Sequence, residues 1–118
     1  VLPDRTILDI TNLEEAFEDD TAGIAELLEM ALETGRRLIG ELQDAIATGN
    51  APGVARAAHS IKGSAANIGA MTPSTLAAAL EQRARAGDLA GAADACAAIE
   101  SAYAPVAAEI SAYRSSVS

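Results

Sequence analysis

The chain carries one histidine, and it falls in the run His59-Ser60-Ile61-Lys62-Gly63-Ser64-Ala65-Ala66-Asn67-Ile68-Gly69. Neutral imidazole is a competent nucleophile near pH 7 and can form a covalent intermediate. Lys62, three residues on, could donate as a point charge to a phosphoryl group carried on the ring. Gly63 lies one helical turn from the histidine. Glycine in a helix interior costs about 1 kcal/mol relative to alanine, in a chain that uses alanine almost everywhere else. What it supplies is a missing side chain beside the ring, and so room for another molecule. No second histidine, glycine-rich phosphate loop, metal-ligand cluster or triad candidate accompanies them. The other half of any reaction at His59 must therefore come from a partner. That describes a carrier rather than an enzyme, with no intrinsic cofactor and no metal expected.

Each of these residues also has an ordinary explanation. A lone histidine on a helix surface is usually just solvated, a glycine can permit a close helix contact, and a surface lysine is common. Their joint placement is what points to chemistry. With 100° per residue and Val54 at zero, Ala57, Ala58, Ile61, Ala65 and Ile68 fall within about 60° of it and form a core stripe. His59 lands near 140°, turned toward solvent, and its neighbours on that face are Ala55, Gly63 and Ala66. All three are small.

The elements that must hold this helix are legible from period and punctuation. Thr11-Asn12-Leu13-Glu14 has the spacing of a capping box and predicts a short helix over roughly residues 12–18. Asp19, Asp20 and Thr21 offer caps for a long helix to about Thr48, with Ile24, Leu27, Leu28, Ala31, Leu32, Leu38, Ile39, Leu42 and Ile46 on one stripe. Gly35 is tolerable within it. Gly49-Asn50 ends that helix and caps a third, which has Pro52 in its first turn and Gly69 as its stop. Thr72-Pro73 reads as the cap and first-turn proline of a fourth helix ending near Gly87, with Leu76 and Leu80 facing inward. Asp88 is expected to cap a last helix, which Pro105 should kink or break, and the tail 114–118 should fray. The expected fold is all-α: an up-and-down antiparallel four-helix bundle with a short extra N-terminal helix, a single domain over 1–118 with its core at about 9–110.

Composition agrees and narrows the partners. Half of the 118 residues are apolar, only 3% are aromatic, and eight basic residues face seventeen acidic ones for a net charge of −9. Such a surface repels nucleic-acid backbones and anionic headgroups. No apolar run approaches the roughly 20 residues of a spanning helix, and no signal peptide is visible. The lone Cys96 reads as a small buried residue. A cytoplasmic monomer is expected.

The run from His59 to Gly69 resembles the signature of histidine-containing phosphotransfer domains, roughly H-x-(hydrophobic)-K-G-(small)-x-x-x-(hydrophobic)-G. Leu80-Glu81 followed by Ala84-Arg85-Ala86-Gly87-Asp88-Leu89 is similar to the family's next helix and turn, and Asn12-Leu13-Glu14-Glu15-Ala16-Phe17 also resembles it. The resemblance implies a domain of a two-component phosphorelay that accepts a phosphoryl group on His59, at Nε2, from a receiver-domain aspartate and passes it to another. By the same resemblance Lys62 assists the phosphoryl group, Gly63 clears access and Glu81 orients the ring. Response-regulator receiver domains or a hybrid histidine kinase are the implied partners, with Mg²⁺ held by the receiver. The motif also resembles the phosphorylatable N-terminal domain of chemotaxis histidine kinases, and a phosphorylation-independent helical adaptor could be built on the same bundle.

Overall fold

The structure, a computed structural model, describes residues 2–117. Five helices follow in order: α1 (Thr11–Ala16), α2 (Thr21–Ala47), α3 (Ala51–Asn67), α4 (Met71–Arg85) and α5 (Ala92–Val117). Helices α2 to α5 close into a ring in which each packs on its chain neighbours and α5 returns to α2, while α1 rests on α2. The molecule measures 43 × 21 × 20 Å. At 1.5 Å per residue the 27-residue α2 alone spans nearly all of its length. This is the expected bundle with an added N-terminal helix.

Its interior is built from the anticipated stripes. Ile24, Leu28 and Leu42 of α2, Val54, Ala58 and Ile61 of α3, Leu80 of α4 and Ile99 and Ile110 of α5 are fully buried or nearly so. Leu27, Ala31, Ile46 and Leu76 are half-buried at the margin of this core. Cys96 is buried, and burial pushes its thiol pKa up, as for a packed apolar residue. Gly35 has a more definite role than tolerance: a Cβ there would lie 2.8 Å from the ring of Tyr103, so the absent side chain is the seat for that ring.

Two helix starts follow the sequence grammar. Asp20 accepts from the Gly23 amide at 3.2 Å and Asn50 from the Gly53 amide at 3.1 Å, each satisfying an orphan donor of the first turn. Three others depart from it. Thr11 lies within α1 and is no cap. The Asp9 carboxylate takes both its amide (3.1 Å) and its hydroxyl (2.6 Å), because a charged acceptor two residues upstream outcompetes the threonine's own capping bond. α1 then stops at Ala16, short of residue 18, as Glu18 and Asp19 turn left-handed (φ 50° and 62°). Thr72-Pro73 sits inside the first turn of α4, which starts at Met71 with Ala70 at its cap and no side-chain cap bond. Asp88 closes a turn onto the Ala90 amide at 2.9 Å, and α5 begins only at Ala92, after Gly91 (φ 73°).

The far end of α5 corrects two further expectations. Pro105 does not break the helix, which runs unbroken through it. Pro105 and Ser101, whose carbonyl loses its amide partner, are both exposed, so water can take the freed acceptor. Buried Tyr103, Val106 and Ile110 hold the opposite face against the bundle. The tail is helical to Val117, anchored by buried Tyr113, whose carbonyl accepts from the Ser116 hydroxyl at 2.7 Å. Ser118 lies outside the described residues.

The turn that follows α3 is fixed by a long-range contact. Gly69 is left-handed (φ 74°), and its carbonyl accepts from the Asp9 amide at 3.0 Å. A Cβ at Gly69 would stand 1.8 Å from the Asp9 carbonyl oxygen, whereas one at Gly87, at φ 79°, would meet nothing within 4 Å. Gly69→Ala should therefore lower stability by about 3 kcal/mol or more, against about 1 kcal/mol for Gly87→Ala, which has only the backbone strain. Urea denaturation of both variants checks this, and equal losses would mean that the Asp9 contact is not what demands glycine.

Candidate functional site

The helical phase of α3 sets the site. Val54, Ala57, Ala58, Ile61, Ala65 and Ile68 are all buried, as their spacing requires, and His59 is turned outward with 60% of its side chain exposed. Gly63 and Ala66 are exposed beside it. A Cβ at Gly63 would meet nothing within 4 Å, so no neighbouring helix needs the glycine there. Ala55 departs from the expectation: it is buried, on the side where α4 packs.

Across that contact stands Glu81 of α4, only 5% exposed and yet charged. Its carboxylate gathers the site. Oε2 lies 2.9 Å from His59 Nδ1, and Oε1 accepts from Lys62 Nζ at 2.7 Å. Arg85, one turn further along α4, donates Nε (3.0 Å) and Nη2 (2.7 Å) to the same Oε2. The α3–α4 register is pinned nearby by the buried Ser74 hydroxyl, which donates to the Lys62 carbonyl at 2.9 Å. His59, Lys62 and Glu81 are thus brought together. Lys62 reaches the cluster through the carboxylate rather than by lying on the ring. Arg85 was not among the candidate residues. Its i,i+4 spacing from Glu81 was visible as an ordinary helix pair, but its convergence with Lys62 and His59 needed the packing of α3 on α4.

The electrostatics select a tautomer. The Lys62 hydrogen bond, opposed by burial and reinforced by Arg85 and His59, pulls the Glu81 pKa down to about 2. At neutral pH its carboxylate is ionised and can only accept hydrogen bonds, so the ring nitrogen facing it, Nδ1, carries the proton. In the neutral ring the lone pair then belongs to Nε2, on the edge away from the buried carboxylate. Burying the carboxylate between Lys62 and Arg85 makes the arrangement costly to take apart from one side.

A pH dependence follows. Because Glu81 has a folded pKa near 2 against an ordinary 4.5, its contribution to stability is complete above about pH 4.5 and is lost as pH falls toward 2. Urea midpoints of wild type and Glu81→Gln should differ most near pH 6 and converge near pH 2. A constant gap across that range would show that the carboxylate's charge is not what the cluster uses.

Among the described residues no group of three or more His, Cys, Asp or Glu side chains is placed to hold a metal ion, and no helix is long and apolar enough to cross a membrane. The sequence model of the Hpt domain matches residues 26–109, which take in most of α2, all of α3 and α4 and most of α5. The crystal structure of histidine-containing phosphotransfer protein B from Pseudomonas aeruginosa PAO1 resembles this fold with a TM-score of 0.72 and 28% sequence identity, over 98% of this chain and 92% of that one. No curated protein matches the chain.

Proposed function

Given that the chain belongs to the Hpt domain family, whose function is phosphotransfer in a phosphorelay, we propose that His59 is the residue that carries the phosphoryl group and that Nε2 is the atom that bonds it. One observation carries this assignment: the exposed imidazole is tied at Nδ1, 2.9 Å from a buried carboxylate, so that in the neutral ring the lone pair lies on Nε2, the nitrogen away from that carboxylate.

The exchange balances with these groups alone on this side. The Nε2 lone pair attacks the phosphorus of an aspartyl phosphate on a receiver domain, the P–N bond forms, and the P–O bond to the aspartate breaks to release its carboxylate. The ring then bears positive charge, which the Glu81 carboxylate offsets through Nδ1–H. In the onward step the leaving group is neutral imidazole, far better than the imidazolate that would leave if Nδ1 had lost its proton. Lys62, with 38% of its side chain exposed, can swing its ammonium from Glu81 to the phosphoryl oxygens, while Arg85 continues to hold the carboxylate. Gly63 leaves the approach open. The domain works as a carrier without a kinase site of its own, as a cytoplasmic monomer, with Mg²⁺ held by the receiver.

Incubation with a phosphorylated receiver domain and Mg²⁺ tests this directly. The expected product carries one acid-labile, alkali-stable phosphoryl group, which fragmentation mass spectrometry maps to His59. Label on another residue would overturn the assignment. Labelling only by an ATP-dependent chemotaxis kinase core would move the protein to that class of phosphohistidine domain.

A further inference from the structure

Of the eight basic side chains seven are arginines, and Lys62 is the one lysine. It stands in α3 three residues beyond His59 with 38% of its side chain exposed, and its Nζ donates to Glu81 Oε1 at 2.7 Å. A compact ammonium suits the swing to the phosphoryl oxygens, and it brings into the site the one side-chain amine of the chain. The reagent that this site must meet makes the amine matter. An aspartyl phosphate is an acyl phosphate, a mixed anhydride with two electrophilic atoms, phosphorus and the carbonyl carbon. Imidazole attack at phosphorus charges the carrier, whereas amine attack at carbon acylates the lysine. A docked receiver presents its phosphorus to Nε2. A small acyl phosphate arrives unconstrained and can turn its carbonyl carbon to Nζ.

We propose that Lys62 is a modification site, at which a small diffusible acyl phosphate transfers its acyl group to Nζ and so silences the carrier. The ammonium leaves Glu81 and gives one proton to water. The amine lone pair attacks the carbonyl carbon, the C–N bond forms, and the C–O bond to phosphate breaks with its electron pair leaving on inorganic phosphate. The second proton lost from nitrogen goes to that phosphate, and a neutral amide remains. Two services of the cation then end together. The amide brings no charge to the phosphoryl oxygens, and it gives up the hydrogen bond that contributes most to holding the Glu81 pKa down at about 2. Arg85 keeps both of its bonds to Oε2, and the buried stripe of α3 is untouched, so the bundle stays folded. The inference rests on the phosphotransfer assignment above and adds to it a chemical means of turning the site off.

Incubation of the wild type with acetyl phosphate at about pH 8, beside Nα-acetyl-lysine as a reference amine, tests the proposal. Peptide mass spectrometry should find an acetyl group on Lys62, formed at a rate within about tenfold of the reference. With the reagent removed, the acetylated protein should accept phosphoryl groups from a phosphorylated receiver domain about tenfold more slowly or worse, with unchanged circular dichroism. The same treatment should leave Lys62→Arg at its own untreated rate, because a guanidinium stays protonated and does not acylate. An unmodified Lys62 where the reference amine has reacted, or wild-type transfer by the acetylated protein, overturns the proposal and leaves His59 as the carrier. Equal slowing of wild type and Lys62→Arg would place the silencing elsewhere and overturn it too. If the untreated wild type accepts no phosphoryl group from any receiver, there is no transfer to silence, and both proposals fall.

Discussion

A His59→Gln variant takes up phosphoryl groups from a receiver domain at a rate lower than wild type by more than about 10³-fold, because no other side chain can supply the bond to phosphorus. The glutamine amide nitrogen is not nucleophilic, so the loss is of the reacting atom itself rather than of its orientation. The fold should be unaffected. His59 exposes 60% of its side chain, and Glu81 keeps Lys62 and Arg85 as partners when the imidazole is gone. A glutamine amide can also donate to Glu81 Oε2 in place of Nδ1–H. The variant should therefore match wild type in circular dichroism and thermal midpoint, and should still bind the receiver with nearly the wild-type Kd. A phosphotransfer assay run beside a binding titration reads both. Retained transfer would remove His59 as the acceptor. Retained biological output with transfer abolished would instead mark the bundle as a phosphorylation-independent adaptor.

Much of this site was legible in α3 alone, and the reason is local. The apolar spacing from Val54 to Ile68 fixes the phase of one amphipathic helix, and phase fixes which way His59 points. The partner of its buried edge was not legible in that way. Glu81 lies 22 residues away on a different helix, and only the resemblance to a family placed it near the ring. Arg85 and the route of Lys62 through the carboxylate depend on the side-by-side setting of α3 and α4, to which helical periodicity is blind. The misplaced helix starts have the same cause. Thr11, Thr72 and Asp88 each carry sound capping chemistry, but the Asp9 carboxylate, the Gly69 turn tied to Asp9 and the left-handed Gly91 decided where the chain enters each helix. Pro105 departs from the local expectation for a different reason: its cost depends on whether the freed carbonyl is wet, and exposure at that point belongs to the packed bundle rather than to the local sequence.

Gly63 offers the sharpest separation of stability from function, because the two should move in opposite directions. A Cβ at this position meets nothing within 4 Å, so Gly63→Ala should stabilise the domain by about 1 kcal/mol through helix propensity alone. Were the glycine there for helix packing, the same change would destabilise. Gly63→Phe should also leave helicity intact, since the added ring projects from an exposed face of α3. Its consequence for transfer is severe. In-line attack needs the phosphorus within about 3–3.5 Å of Nε2, and small misplacements at that range can cost on the order of 10²-fold. A side chain one turn along the same face has its Cβ about 5–6 Å from that of the histidine, and a phenyl group there reaches over the path that the receiver must take. Transfer should thus fall by about 10²-fold or more in Gly63→Phe and much less in Gly63→Ala, while an unchanged Glu81 cluster preserves the Nδ1–H tautomer in both. The nitrogen chemical shifts of His59 test that last point independently of any partner. If they stay as in the wild type while transfer collapses, the loss is one of access. Wild-type transfer in Gly63→Phe would mean that the receiver approaches from another side, and the glycine beside the histidine would have no part in the exchange.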